Sequence, residues 1–505
     1  MASKIFMGDM PELMENILDN LKNEFYSLYS CALVSRHWCK ISIPILWQDP
    51  FSLYKNSLFI SKYFSPFGED EKFILKYMKN AEISKTLFDY ARFLKVLDLY
   101  NLENNVKNWI DFHRPYMNSP DYGASIYHII NILLKIFIES GATLHKLELY
   151  FSEYIEIKPE VFHSLERNEQ FLSRLKDLTL SVISELCADN ATALLKVLAK
   201  TTTKINTLKL DEFYSYYEPQ VFHSLICIIN SQEQLRRFII IGDNSIEFPA
   251  KFHGIILALE SQKQSLQEVI VQGCICNAEF KVLMKCENLE ILRIRNCKYA
   301  ELLALSSYKS STLEIVDSPI NTSNMALIFE KFGTFLQRLK LGSDNEMVLK
   351  RSSLLALKSF CPNITYLNIS YIEFSTQLLD LIGNLQKLQF LTLRYLWYID
   401  DVAEEQVMLF AEMLPLTLQY LDLRDCFLNS YIDILLSNCY APLKKLLIYR
   451  LDNEKKAKAL IEFSIRKRTL NYVAVSRHSY LNNDLKNTMK EYVTLVPYGC
   501  IDVDC

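Results

Sequence analysis

From residue 144 onward the chain repeats one short pattern, apolar-x-x-apolar-x-apolar. Copies start at Leu144 (LHKLEL), Leu175 (LKDLTL), Ile205 (INTLKL), Leu235 (LRRFII), Leu266 (LQEVIV) and Leu289 (LEILRI). They continue with a degenerate copy at Ser310 (SSTLEI), then Leu336 (LQRLKL), Ile364 (ITYLNI), Leu388 (LQFLTL), Leu418 (LQYLDL), Leu443 (LKKLLI) and Leu470 (LNYVAV). An earlier copy stands at Leu94 (LKVLDL). Alternation of this kind predicts a short strand whose second and third apolar positions point inward while the residues between them face solvent. Between copies lie helical stripes, such as Ala191–Ala199 after the cap-like Asp189-Asn190 and Gln377–Leu385 after Ser375-Thr376. A longer echo, Pro-x-Val-Phe-His-Ser-Leu, occurs at Pro159–Leu165 and again at Pro219–Leu225.

One such unit cannot cover its own apolar side, whereas stacked units bury a continuous core. Successive copies lie about 27 residues apart, within the period of leucine-rich repeats. The expected fold class is α/β: a solenoid with parallel strands on the concave face and helices on the convex face. Residues 101–143 read as an insertion with a loop at Asn118–Gly123. A capping helix near Asn482–Tyr492 precedes the tail VTLVPYGCIDVDC, and solenoids need such a last element.

Residues 10–51 follow a different rhythm. Pro11 suits a first helical turn after a possible Asp9 cap, and Leu13, Ile17, Leu18 and Leu21 form one apolar stripe. A second group holds Leu28, Cys31, Ala32, Leu33 and Val34, followed by Arg36 and Trp38; Ile41, Ile45, Leu46 and Trp47 close the segment around Pro44. This predicts three helices in a unit near the lower size limit for independent folding. It has more large apolar side chains than so small a bundle can cover, so some should face a partner. The expected organisation is therefore a helical domain at 8–51, a linker and start of the solenoid at 52–93, repeats at 94–479, and a cap and tail at 480–505.

Composition narrows the functional classes. The 505 residues carry 55 Lys+Arg against 59 Asp+Glu, and this near balance gives no electrostatic case for nucleic acid or an anionic membrane surface. No signal-type or membrane-length apolar run occurs, so a cytoplasmic or nuclear location is expected. Only 11 residues are Gly, which disfavours phosphate cradles and nucleophile elbows; the nucleotide-loop, nucleophile-elbow and zinc-protease motifs are absent. No catalytic residue, cofactor or metal is expected. The 13 Cys form no C-x-x-C pair and read as reduced thiols. Cys274, Cys297 and Cys426 each fall where a strand turns into its loop, and Cys286 and Cys361 precede two copies; a small, weakly polar side chain fits such turns. His163 and His223 are equivalent repeat positions, which favours packing over ligation.

Met10-Pro11, Ile17-Leu18, Leu33-Val34-Ser35-Arg36-His37-Trp38 and Leu46-Trp47 together make the N-terminal segment resemble an F-box. The wording CALVSRHWCKISIPILWQDPF is similar to the large F-box families of fungi, and the cysteine-containing repeats resemble those common in F-box proteins. Met10 stands where the family usually has Leu. The resemblance implies docking on a Skp1-like adaptor, and through it on a cullin, in an SCF-type ubiquitin ligase whose repeats hold a protein substrate. It implies adaptor contacts at Met10, Pro11, Leu13, Ile17, Leu18, Leu33, Val34 and Trp38, with Trp38 and Trp47 open to a core role instead. A Skp1-bound or free repeat scaffold outside ubiquitination is the alternative.

The expected substrate surface is the solvent side of the strands. Early repeats place Glu148, Tyr150, Lys209 and Asp211 there; later ones place Arg293, Arg295, Lys340, Arg394, Arg424 and Tyr449, with Tyr371 and Tyr395 at the rim. Arg with interleaved Tyr has the composition of protein-binding hot spots. The same residues could equally serve solubility. On the first reading, the C-terminal half binds an acidic or phosphorylated segment.

Overall fold

The computed structural model of the chain describes residues 11–22, 24–52, 57–64, 86–113, 119–152, 155–183, 187–213, 219–242, 252, 254–300, 310–343, 351–396, 404–451, 453–477 and 483–503. It divides into two compact units. The first comprises residues 1–240 and 251–262, the second residues 241–250 and 263–505.

The first unit opens with three helices, Pro11–Asp19, Phe25–Ala32 and Arg36–Leu46. It continues with strands β1 (Val96–Asp98), β2 (Lys146–Phe151), β3 (Asp177–Ile183) and β4 (Thr207–Phe213), and with Arg237–Ile240 of β5 (Arg237–Gly242). β1 to β4 pair in parallel and in sequence order. The second unit holds β6 (Glu268–Gln272), β7 (Ile291–Arg295), β8 (Thr312–Val316), β9 (Arg338–Gly342) and β10 (Tyr366–Ser370). It goes on with β11 (Phe390–Arg394), β12 (Tyr420–Asp422), β13 (Lys445–Arg450), β14 (Tyr472–Arg477) and β15 (Thr494–Val496). These ten also pair in parallel, each with its sequence neighbour.

The repeated pattern produces this ladder directly. Its second apolar position lines up across strands as Leu292, Leu313, Leu339, Leu367, Leu391, Leu421, Leu446 and Val473, all buried. A one-residue slip would turn every one of these side chains to solvent, so burial fixes the register. The helices between strands pack on one another in succession. Ser375 caps the helix Thr376–Asn384 by accepting from the Leu378 N–H at 3.4 Å, as the sequence predicts.

Three local expectations change. The helix expected at Ala191–Ala199 spans Ala188–Thr201, so Asp189 and Asn190 lie inside it rather than capping it. Asn190 instead holds Ile157, accepting from its N–H and donating to its carbonyl, both at 2.8 Å. The loop expected from Asn118 to Gly123 is helical backbone from Ser119 on, in a helix reaching Glu139. Pro120 is tolerated there because its missing N–H falls in the first turn. Asn118 lies outside the described residues. The capping helix forms at Asn483–Tyr492, but part of the tail then adds a further strand, β15, to β14.

In the second unit the residue after a strand is repeatedly left-handed: Gly273, Asn296, Asp317, Tyr371 and Tyr395, at φ between 48° and 63°. Each donates its N–H to a carbonyl of the following repeat, at 2.6–3.1 Å, so the ladder gains one more bond before the chain turns. Asn, Asp and Gly tolerate this conformation, whereas a bulky Tyr adopts it at a cost.

Candidate functional site

Two surfaces carry the candidate functional residues. The first belongs to the N-terminal helices. Met14, Leu18, Leu28 and Ile41 form their core, with Leu21, Cys31, Trp38, Ile45 and Leu46 packed against it. Met14 and Leu18 are four residues apart and share the inner face of the first helix. Leu13 and Ile17 form the neighbouring pair and are 43% and 46% exposed. Leu18, expected as a partner contact, is a core residue here, because a helical stripe wide enough to hold all four leucine-type positions necessarily wraps into the bundle, while Trp38 is half-buried and packs against that core. Met10 lies outside the described residues, and Pro11 opens the first helix.

Leu33 and Val34 are 71% and 62% exposed. They sit in the link between two helices, and both ends of that link are fastened. The Leu33 and Val34 N–H groups close the second helix onto Ser30 and Cys31, and Ser35 caps the third by accepting from the Trp38 N–H at 3.2 Å. Two apolar side chains are therefore held in water by a rigid backbone. Sequence reading missed three exposed aromatics nearby: Phe25, Tyr26 and Tyr29, with Phe25 stacked on Tyr29 at 6.2 Å. Their i,i+4 spacing was the available signal. Trp47 serves the core, stacking on Tyr90 at 4.0 Å and meeting Tyr63 edge-on at 5.4 Å. The Gln48 carbonyl accepts from Lys95 and Val96, fastening the helical segment to β1.

The second surface is the solvent side of β6 to β14. Its central row, in register, reads Ile270, Arg293, Glu314, Lys340, Asn368, Thr392, Asp422, Leu447 and Ala474. Glu314 is 1% exposed and collects three cations. Arg295 forks onto it at 2.9 and 2.8 Å, Lys340 stands at 3.2 Å, and Arg293 at 3.8 Å while also 3.6 Å from Glu268. Three cations thus gather on the Glu314 and Glu268 carboxylates. Asp422, fully buried, plays the same part further along. Arg424 forks onto it at 3.0 and 2.7 Å, and Arg394 approaches it at 3.5 Å. Burial pulls the Arg424 pKa down, but hydrogen bonds and charge from Asp422 and Asp502 outweigh that and raise it.

The sequence-derived cations thus lie together on the strand face, and each already leans on a carboxylate. Glu314 and Asp422 escaped sequence reading, although they occupy the same repeat position as Arg293 and Lys340. Alternating charge sign at equivalent positions was the signal. At the rim, the left-handed Tyr371 and Tyr395 stack with centroids 4.7 Å apart, and Tyr395 is half exposed. Tyr449 is also exposed, with Arg450 over its ring at 4.8 Å. In the first unit, Lys209 and Asp211 pair within one strand at 2.6 Å.

The tail crosses this face. The Tyr498 hydroxyl donates to the Ile448 carbonyl at 2.9 Å, and Arg424 lies over the Tyr498 ring at 4.8 Å. Ile501 is buried against Tyr420, Leu447 and Ala474; Asp502 meets Arg424 at 2.8 Å; the Val503 carbonyl accepts from the Tyr366 hydroxyl at 3.2 Å.

Cysteines support the turns. Cys274 and Cys297 thiols donate to the Gln272 and Arg295 carbonyls, each at 3.2 Å, and the Leu428 N–H donates to the Cys426 sulfur at 3.4 Å. Burial pushes the Cys361 and Cys426 thiols up to about 12 and Cys439 to about 11. Among the described residues no group of three or more His, Cys, Asp or Glu is arranged to hold a metal ion, and no helix is long and apolar enough to cross a membrane.

These two surfaces belong to a small helical N-terminal domain and to the strand–helix repeats of the second unit. Residues 11–52 match the F-box-like family. The segment is an F-box-like domain. Among solved structures, a chain of the Rad7 and Elc1 complex in yeast is similar at 15% identity over 80% of this chain and 97% of that one, with a TM-score of 0.37. TLR13 from its complex with ssRNA13 is similar at 15% identity over 72% and 55%, with a TM-score of 0.40. The leucine-rich repeat-containing protein LegL7 from Legionella pneumophila is similar at 14% identity over 55% and 90%, with a TM-score of 0.33. No curated protein matches the sequence.

Proposed function

We propose that this chain is the substrate-recognition subunit of an SCF-type ubiquitin ligase. The F-box-like domain docks on a Skp1-like adaptor, and through it on a cullin, while the repeats hold a protein substrate. The observation that supports docking most strongly is the exposure of Leu13, Ile17, Leu33 and Val34 on a domain whose own core is already filled by Met14, Leu18, Leu28 and Ile41. A helical domain this small gains nothing for its own stability from holding those side chains in water.

The chain's contribution on this reading is proximity. It raises the local concentration of a substrate lysine beside a charged conjugating enzyme carried by other subunits. Arg293, Arg295, Lys340, Arg394, Arg424, Tyr395 and Tyr449 face the substrate. The Arg and Lys side chains gathered on this face favour an acidic or phosphorylated segment.

The test is co-expression of the tagged chain with a Skp1-like adaptor and a cullin. Both should be recovered with the intact chain, and neither with the Leu33→Asp/Val34→Asp variant. Recovery of the adaptor without the cullin would move the chain to the scaffold class; recovery of neither with the intact chain would refute the proposal.

A further inference from the structure

We infer that the solvent face of β10 to β14 is a binding groove for a short aliphatic–Asp–aliphatic segment of a partner protein, and that the chain's own Ile501-Asp502-Val503 occupies it in the free protein. The inference rests on the reading that the strand face receives a protein segment, and it gives that segment a chemistry.

The groove is built from side chains unlike those at equivalent positions of the preceding repeats. On the open side of the strands, the row Glu268, Ile291, Thr312 and Arg338 of β6 to β9 continues as Tyr366, Phe390 and Tyr420, and the neighbouring row, which holds Arg293, Glu314 and Lys340, ends in Leu447 and Ala474. Of these, Tyr366, Tyr420, Leu447 and Ala474 are buried, although they lie on the open side of their strands. What covers the platform is the tail. Ile501 fills the space over Tyr420, Leu447 and Ala474, and Phe390, Val496, Tyr498 and Val503 pack around that cluster. Asp502 supplies the charge, meeting the Arg424 guanidinium that Asp422 holds in place. The selection rule follows from these contacts: a branched aliphatic side chain on the aromatic floor, a carboxylate on Arg424, and a second aliphatic residue towards Tyr366.

Its occupant is lightly fastened. The last strand pairing of the chain ends at Val496. Beyond it Ile501 is buried, while Pro497, Gly499, Cys500 and Asp502 are exposed. A segment held by one fully buried side chain, by the half-buried Tyr498 and Val503, by the Arg424 contacts and by hydrogen bonds, with no strand pairing past Val496 among the described residues, opens more readily than the strands beneath it. A partner segment of the same chemistry would therefore compete for the groove, and the tail would set the threshold for its entry.

The probe is a fluorescein-labelled synthetic peptide of residues 497–505 with both cysteines replaced by serine. It should bind saturably to a chain ending at Val496 and at least about tenfold more weakly to the full chain, whose own tail competes. A peptide with Lys in place of Asp502 should lose about tenfold or more. Should the shortened chain not fold, the full chain carrying Ile501→Ser and Asp502→Ala takes its place in the same measurement. Equal binding to the full and opened chains, absence of binding to a folded opened chain, or unfolding of both variants would overturn the inference, the last by making the segment an integral cap. Adaptor association is measured on the same preparations and depends on the F-box-like domain. Loss of peptide binding with adaptor binding intact therefore sinks the groove alone.

Discussion

Single side chains in this protein are placed by arithmetic that the sequence displays only in part. Leu13 and Leu18 belong to one apolar stripe, yet the first is exposed and the second buried, because the stripe is wider than the bundle it faces. Which edge of a stripe stays outside depends on the neighbouring helix, and no local pattern states that. The cysteines were more legible: their recurrence at strand ends pointed to buried turns, where their thiols are found. Those thiols make a pH prediction. Cys361, Cys426 and Cys439 have folded pKa values of about 12, 12 and 11, above the ordinary 9. Below pH 9 both folded and unfolded chains keep these protons, so the thiols add no pH dependence. Between pH 9 and 12 the unfolded chain releases them first, and stability falls as pH rises. The urea midpoint should decline across this window, and Cys426→Ala should make the decline shallower. An unchanged slope would contradict the assignment.

At the level of elements, the strands were the most legible feature, since one motif recurring many times, even at uneven spacing, admits one register. Helix starts were less so. Asp189-Asn190 has the composition of a cap, but Asn190 is drawn to the Ile157 backbone by a long-range contact, and the helix begins earlier. β15 was missed because three residues are too few to show alternation. Close approach between helices also leaves no trace in a periodicity. Gly333 ends the helix Thr322–Phe332, and a Cβ there would stand 2.2 Å from the carbonyl oxygen of Phe360, the last residue of the helix Arg351–Phe360. Gly333→Ala should therefore cost about 1–3 kcal/mol through forced backbone movement. Chemical denaturation of the variant measures this, and an unaltered midpoint would show that the two helices are not held as described.

For the whole molecule, the order of parts was readable from end to end: a short helical module rich in uncovered apolar side chains, then stacked strand–helix units. The charged half of the strand face was readable too, as a list of cations. Its organisation was not, because Glu314 and Asp422 gain their meaning only when adjacent repeats are set in register. The tail's path over β10 to β14 was equally hidden. It depends on contacts such as Tyr366 with Val503, separated by more than a hundred residues of sequence.

The account stands on the docking role of the first helices, and calorimetric titration of a purified Skp1-like adaptor into the full chain tests it most directly. The expected result is a one-to-one complex, weakened about a hundredfold or more by Leu33→Asp/Val34→Asp, as befits two exposed apolar anchors at an interface centre. A chain that gives no binding heat across several temperatures, or a double variant that binds as tightly as the parent, would contradict it.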